Sequence, residues 1–186
     1  MRIAIKKPIQ NGDVIVRDFV SEDFRDLAEI ARANAVSDFA YCDVQWPTDD
    51  DSARGMAEYM ATDSAMSAIY SKKEGRVVCF VNFNSVSEDN YLDIGHVMNF
   101  AYAGRDYEYE GLKLIFNAAF NELDIAGIRA AYWAFDDKVK LEPLLKLGMK
   151  VVNKHQSNYF GGKEGTFTGC ELKVSRKEYA ALGDGS

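Results

Sequence analysis

Apolar positions in the middle of the chain change their spacing from a repeat of two residues to one of three and four, and then back. A repeat of two is typical of a strand with one buried face, and steps of three and four are typical of an amphipathic helix. The predicted order is a strand over Tyr91–Phe100, a helix over Tyr107–Asp124, a strand over Ile128–Phe135 and a short helix over Lys140–Leu147.

The flanking segments predict more strands and two more helices. Ser21 is the predicted N-cap of the helix that follows it. Thr48 with Asp51 forms the predicted capping box of the second helix, which begins after Thr48. The acidic run after Thr48 could instead bind an acceptor. Pro143 is expected near the first turn of the short helix and Gly148 at its C-cap. The further strands are predicted at Val14–Phe19, Ala65–Ser71, Arg76–Val86, Lys150–Asn153 and Phe167–Val174.

Composition indicates one folded domain over residues 1–186, because the chain of 186 residues is 47% hydrophobic and has no low-complexity segment. No apolar run is long enough to span a membrane and the N-terminus does not resemble a signal peptide, so we expect a cytoplasmic protein without membrane association. Three scattered cysteines, Cys42, Cys79 and Cys170, predict neither a disulfide framework nor a zinc site. We expect all three to be buried thiols.

The formal net charge of −7 argues against nucleic-acid binding, which needs clustered Lys and Arg, and would suit a cationic acceptor. The sequence does not distinguish a monomer from a homodimer. It also lacks a G-x-S-x-G elbow, an H-E-x-x-H motif, a Walker loop and a G-x-G-x-x-G motif, which argues against the chemistries that those motifs carry.

The start of the predicted long helix is a candidate phosphate site. Gly104 comes just before it, and the first turn of a helix carries backbone N–H groups without intrahelical partners and a partial positive charge. A second interpretation fits the same segment. Asp106, Glu108 and Glu110 could simply complement the helix dipole at a solvated helix start.

The order of elements and several short motifs resemble the GNAT superfamily of N-acetyltransferases, and within it the ribosomal-protein alanine N-acetyltransferase-like branch. The branch motif E-I-G-Y-x-L corresponds to the segment starting at Asp93, with His96 in place of Tyr. The motif R-G-x-G-Y-A-x-E-A corresponds to Ala103–Gly111, with Asp106 in place of the second Gly and Glu108 in place of Ala. The motif E-K-L-G-F corresponds to Leu145–Met149.

The resemblance implies a mixed α/β (α+β) fold with a mostly antiparallel central sheet flanked by helices. It also implies direct transfer of an acetyl group from acetyl-CoA to a primary amine of a small molecule or a protein N-terminus. The cofactor-binding residues that it implies are Met98, Phe100, Gly104, Arg105, Asp106, Tyr107, Glu108 and Asp137.

Two residues are candidates for proton handling in such a transfer. Asp93 corresponds to the strand carboxylate of the family, often considered a base or a water-positioning group, although it could be a solvated strand residue. His96 could be a general base, but its parity with the apolar residues of the strand favours a packed, hydrogen-bonded histidine. The short helix lacks the tyrosine that many relatives use as a general acid. A non-catalytic binding module with the same fold is the alternative function.

Overall fold

The computed structural model describes residues 3–133 and 138–183, apart from the side chains of residues 138–140. Within these ranges the chain forms eight strands and five α-helices. The strands are β1 (Ile9–Asn11), β2 (Val14–Arg17), β3 (Met66–Ser71), β4 (Arg76–Val86), β5 (Tyr91–Met98), β6 (Gly127–Tyr132), β7 (Lys150–Asn158) and β8 (Thr166–Ser175). The helices are α1 (Phe24–Ala35), α2 (Asp50–Thr62), α3 (Tyr107–Glu122), α4 (Lys138–Lys146) and α5 (Arg176–Gly183).

The strands form one sheet in the order β1-β2-β3-β4-β5-β6-β8-β7. Neighbouring strands are antiparallel except for β5 and β6, which are parallel and are connected through α3. A parallel pair needs such a crossover, because the chain has to return to the same end of the sheet. The predicted mixed and mostly antiparallel sheet is therefore confirmed.

Helices cover both faces of the sheet, and each face has its own core. The larger core contains the apolar face of α3, with Leu112, Ile115 and Phe116 fully buried against the strands. The smaller core holds α1 and α2 against β3 and β4 around Phe80. Strand β5 contributes to both cores because its side chains alternate between the two faces, with Ile94 on the α3 side and Val97 on the α1 side.

Several local predictions were wrong in their details. Ser21 does not cap α1, because a 3-10 turn over Ser21–Asp23 comes first and the Asp23 carboxylate accepts a hydrogen bond from Val20 N–H at 2.9 Å. The cap of α2 is Asp49 rather than Thr48, since its Oδ1 accepts from Ser52 N–H at 2.8 Å.

The elements around Gly148 also differ from the prediction. Helix α4 begins at Lys138, so that Pro143 lies in its interior, and β7 continues to Asn158 because β8 pairs with it along its length. Gly148 has a φ of +78° and Met149 N–H donates to Leu144 O at 3.1 Å, which confirms the predicted C-cap. No helix of residues 3–133 and 138–183 is long and apolar enough to cross a membrane.

Candidate active site

The parallel strands β5 and β6 separate part-way along their length. Their pairing runs from Tyr91–Gly127 to Ile94–Ala130, and beyond that last pair β5 continues to Met98 and β6 to Tyr132. The separation leaves a gap in the middle of the sheet. One pocket and one larger cleft lie next to this gap, and they contain most of the predicted site residues.

The pocket lies at the start of α3, has a volume of about 130 Å³ and is named here the loop pocket. Its lining residues come from the end of β5, the turn before α3, the first turn of α3, and α4. They are Met98, Ala103, Gly104, Arg105, Asp106, Glu108, Tyr109, Glu142, Pro143 and Lys146. The first backbone hydrogen bond of α3 is donated by Glu110 N–H to Asp106 O at 2.8 Å. The N–H groups just before it have no intrahelical partner and can bind an anion. Gly104 has a φ of +78° and open space where a Cβ would stand, so the turn leaves room for a ligand.

Charges of both signs surround the loop pocket. Lys146 Nζ of α4 lies 3.9 Å from Asp106 Oδ1 and 3.0 Å from Glu142 Oε1, and all three side chains are exposed. Nη1 of Arg105 lies 2.6 Å from Oε1 of Glu74. Lys146 is therefore the cation that α4 adds to the pocket, and it is ion-paired with Glu142 just as Arg105 is with Glu74.

The cleft lies on the α1 side of the sheet and has a volume of about 570 Å³. Its floor is formed by polar side chains of β4 and β5, namely Asn82, Asn84 and Asp93, around Gly95. A Cβ on Gly95 would lie 2.5 Å from Oδ1 of Asn82, so this glycine leaves room for the amide group above it. The walls are mainly aromatic and include Trp46, Trp133, Phe160 and Phe167.

Asp93 is part of a polar network on this floor. Its Oδ2 accepts a hydrogen bond from Nε of Arg129 in β6 at 2.9 Å, and Nη2 of the same guanidinium lies 2.8 Å from that oxygen. Its Oδ1 accepts from Asn84 Nδ2 at 2.9 Å. The Asp93 carboxylate raises the pKa of Arg129, mainly through its hydrogen bond. Asp93 thus lies in the cleft as a carboxylate that is hydrogen-bonded on both oxygens, rather than as a free solvated group.

His96 lies at the gap itself and pairs with a residue of the phosphate-loop motif. Its Nε2 is 2.9 Å from Glu108 Oε1, and both side chains are only 2% exposed. The imidazole stacks on the ring of Tyr132 across the gap, with centroids 5.2 Å apart and an interplanar angle of 2°. The expectation of a packed, hydrogen-bonded histidine is met in the packing but not in the hydrogen bonding, because Nε2 has no aligned hydrogen bond to the described residues. The alternative of a solvated acidic helix start is wrong for Glu108, because the pairing with His96 brings its side chain into the protein.

The remaining predicted residues lie around the loop pocket to different extents. Met98 lines it, whereas Phe100 packs on the core and Tyr107 donates from its hydroxyl group to Glu74 Oε1 at 2.8 Å. Asp137 lies outside the described residues.

The three cysteines are free and buried as predicted, and burial raises the pKa of each thiol.

Sequence reasoning missed several residues of the site. Lys146, Arg129 and His155 reach the loop pocket, the Asp93 carboxylate and the cleft wall from α4, β6 and β7. Trp46 and Trp133 also line the cleft. Lys146 stands in the segment Leu145–Met149 that matches the family motif E-K-L-G-F, but no site role was predicted for it. The other residues lie outside the matched motifs, and their proximity depends on the order of strands in the sheet. For Trp46 the sequence signal is its place in a connection, residues 35–47, that is rich in aromatic residues.

Comparisons with known proteins agree with this architecture. Residues 13–150 match the family model of the acetyltransferase (GNAT) domain. A GNAT-family acetyltransferase from Bacillus anthracis is 16% identical and superimposes with a TM-score of 0.77, covering 92% of this chain and 99% of that one. The ribosomal-protein-S5-alanine acetyltransferase of Vibrio fischeri is 12% identical, with a TM-score of 0.72 and coverage of 94% and 99%.

A third similar structure is spermidine N-acetyltransferase from Vibrio cholerae in complex with CoA and spermine, which is 10% identical with a TM-score of 0.70 and coverage of 91% and 99%. No curated protein matches the sequence. The match to the family model extends over most of the chain, and the fold agrees with it. The chain therefore belongs to the GNAT family of N-acetyltransferase enzymes.

Proposed function

We propose that this protein transfers an acetyl group from acetyl-CoA to a primary amine of a small molecule or a protein N-terminus. The observation that carries the proposal is the gap between β5 and β6, with the loop pocket and the cleft next to it. A cosubstrate whose pyrophosphate binds at the start of α3 could extend along the gap and present its acetyl group in the cleft. The similar V. cholerae structure contains CoA together with an amine.

Direct transfer requires three things of the protein. The acceptor amine must lose a proton, the oxyanion that develops on the thioester carbonyl must meet hydrogen-bond donors, and the sulfur must leave. No cysteine among the described residues is suited to forming an acyl-enzyme, because Cys42, Cys79 and Cys170 are all buried with raised pKa values. The amine is therefore proposed to attack the thioester itself.

Asp93 is the proposed proton-handling residue on the acceptor side. Its two carboxylate oxygens accept hydrogen bonds from Arg129 and Asn84, so the group has a fixed orientation on the cleft floor. A carboxylate held in this way can orient the amine, or a water molecule that carries the amine proton to solvent. The negative charge would also favour a cationic acceptor over an acidic one.

The binding half of the proposal can be tested without knowing the acceptor. Acetyl-CoA at millimolar concentration should raise the melting temperature and shift the amide resonances of Gly104–Glu108. The transfer half can be tested by measuring CoA release with spermidine, 2-phenylethylamine and a peptide with an N-terminal alanine. Binding without transfer to any of these amines would favour the alternative of a non-catalytic binding module.

The role of Asp93 can be tested by the substitution Asp93→Asn, which keeps the shape of the side chain. The rate at saturating substrate should fall roughly a hundredfold, while the affinity for acetyl-CoA stays nearly unchanged. Asp89→Asn is the matched control, because Asp89 is also an ion-paired carboxylate, 3.1 Å from Lys173, but does not line the cleft. A wild-type rate in Asp93→Asn would remove Asp93 from the mechanism.

A further inference from the structure

Two of the departures from the family motifs contact each other in the folded chain. His96 replaces the tyrosine of the strand motif and Glu108 replaces the alanine of the loop motif. The structure brings the imidazole Nε2 and the carboxylate Oε1 to 2.9 Å from each other. Two substitutions twelve positions apart that form one charged pair are more simply explained as a unit than as two separate changes.

This pair is costly to bury. Both side chains are 2% exposed, and although Nε2 of His96 and Oε1 of Glu108 lie 2.9 Å from each other, neither atom has an aligned hydrogen bond. Buried ionisable groups without full hydrogen bonding reduce stability, and an apolar pair of similar volume is often at least as stable. A costly pair at the centre of a site is a candidate for function.

The position of the pair is what gives it a possible role. Glu108 lines the loop pocket and His96 lines the cleft, so their contact lies between the two. A cosubstrate that extends from the loop pocket to the cleft passes this contact near its thioester end. The charged or titratable groups around the pair are Cys79 of β4, Tyr132 of β6, Arg105, Asp106 and Tyr109 at the start of α3, Glu142 and Lys146 of α4, and Asp93 on the opposite face of β5.

We propose that His96, held by Glu108, is the general acid that protonates the sulfur leaving group of acetyl-CoA. The proposal rests on the acetyl transfer proposed above. In the proposed reactive state Glu108 is ionised and His96 is an imidazolium, whose Nε2 lies 2.9 Å from the carboxylate and whose Nδ1–H donates to the ligand. As the amine nitrogen forms its bond to the acetyl carbon, the carbon–sulfur bond breaks and its electron pair moves to sulfur.

The proton on Nδ1 then moves to that sulfur and gives the CoA thiol. His96 is left neutral, with its remaining proton on Nε2 facing Glu108, and regains a proton from solvent before the next turnover. The proton lost by the amine leaves separately on the Asp93 side of the strand. His96 is thus a catalytic residue and Glu108 a positioning residue, and together they replace the tyrosine that the short helix α4 lacks.

The test uses hydroxylamine as the acceptor, because it is small and its hydroxamate product can be measured without knowledge of the natural amine. His96→Gln should lower the kcat for acetyl-CoA at least about a hundredfold, within the usual range for loss of a general acid. Glu108→Gln should lower kcat less than His96→Gln does and should leave the KM for acetyl-CoA nearly unchanged, as expected of a residue that acts by positioning His96.

A double variant separates chemistry from packing. His96→Phe with Glu108→Leu replaces the buried pair by apolar groups, which should keep the melting temperature and the affinity for acetyl-CoA. It should transfer acetyl groups as slowly as His96→Gln. A wild-type kcat in His96→Gln or in the double variant would overturn the proposal. A defect confined to KM would also overturn it, because the pair would then only support the structure of the loop pocket. Wild-type protein that forms no hydroxamate would overturn the proposed acetyl transfer as well.

Discussion

The most informative perturbation of the loop pocket is Asp106→Gly, because Asp106 stands where the family motif has its second glycine. Its φ of −74° and ψ of 5° suit any residue, so the backbone does not require glycine here. The change therefore tests the charge and the Cβ of the side chain. In the structure this carboxylate is 77% exposed and lies 3.9 Å from Lys146 Nζ.

The expected magnitude follows from these exposures. Two unit charges about 4 Å apart interact by about 1 kcal/mol in bulk water, and an exposed ion pair contributes less than its Coulomb energy. Removing Asp106 relieves its repulsion of a pyrophosphate, while Lys146 keeps its contact with Glu142 at 3.0 Å and stays near the pocket. Asp106→Gly should thus tighten acetyl-CoA binding by about 1 kcal/mol, or roughly fivefold in Kd.

Titration calorimetry at low and high salt is the appropriate assay. The gain should shrink as ionic strength rises, because the Debye length falls from about 30 Å at 0.01 M to about 3 Å at 1 M salt. Asp106→Asn is the matched control, since it removes the charge and keeps the Cβ. Equal tightening in both variants would assign the effect to charge, and tightening in the glycine variant alone would assign it to close approach of the backbone. An unchanged Kd in both, at every salt concentration, would refute the reasoning.

Two further predictions concern stability. Gly127→Ala should lower the free energy of unfolding in urea by at least about 2 kcal/mol, because the new Cβ would lie 2.3 Å from the Tyr91 ring and 2.5 Å from the carbonyl oxygen of Val174. Gly55→Ala, in a helix with open space around it, should instead stabilise by about 0.5–1 kcal/mol, and equal effects would contradict the packing argument. Burial raises the pKa of Tyr179 to about 12, above the value of about 10 in an unfolded chain, so the unfolded state ionises first. Stability should fall between about pH 10 and about pH 12. Tyr179→Phe should flatten that slope in alkaline urea titrations.

The sequence by itself determined the elements around the site and their order. Periodicity placed β5, α3 and β6 to within a few residues, because an apolar stripe at helical or strand spacing follows from local geometry. The family motifs were sufficient to indicate an acetyltransferase fold and to predict a phosphate site at the turn around Gly104. They also directed attention to Asp93 and His96, the two residues that the structure now places beside the cleft and at the gap.

Helix boundaries were less certain, because several residues compete for each cap. Asp49 rather than Thr48 caps α2, and Ser21 stands in a 3-10 turn, although each of these side chains can accept a hydrogen bond from a helix start. Pro143 lies inside α4, where local preference would end a helix. The competing caps differ by only about 1 kcal/mol, and the interior proline costs about 3 kcal/mol, so in these places the rest of the fold outweighed local propensity.

Only the tertiary structure decided which charges meet. Nothing in the sequence pairs Glu108 with His96 or Arg129 with Asp93, because the first contact needs α3 to cross over β5 and the second needs β6 to lie parallel to β5. Lys146 reaches the start of α3 only because α4 packs beside it. The periodicity of apolar residues indicates which face of an element is buried. An ion pair depends instead on the register and crossing of elements that are far apart in the chain. The site is therefore the part of this protein that the folded structure had to supply.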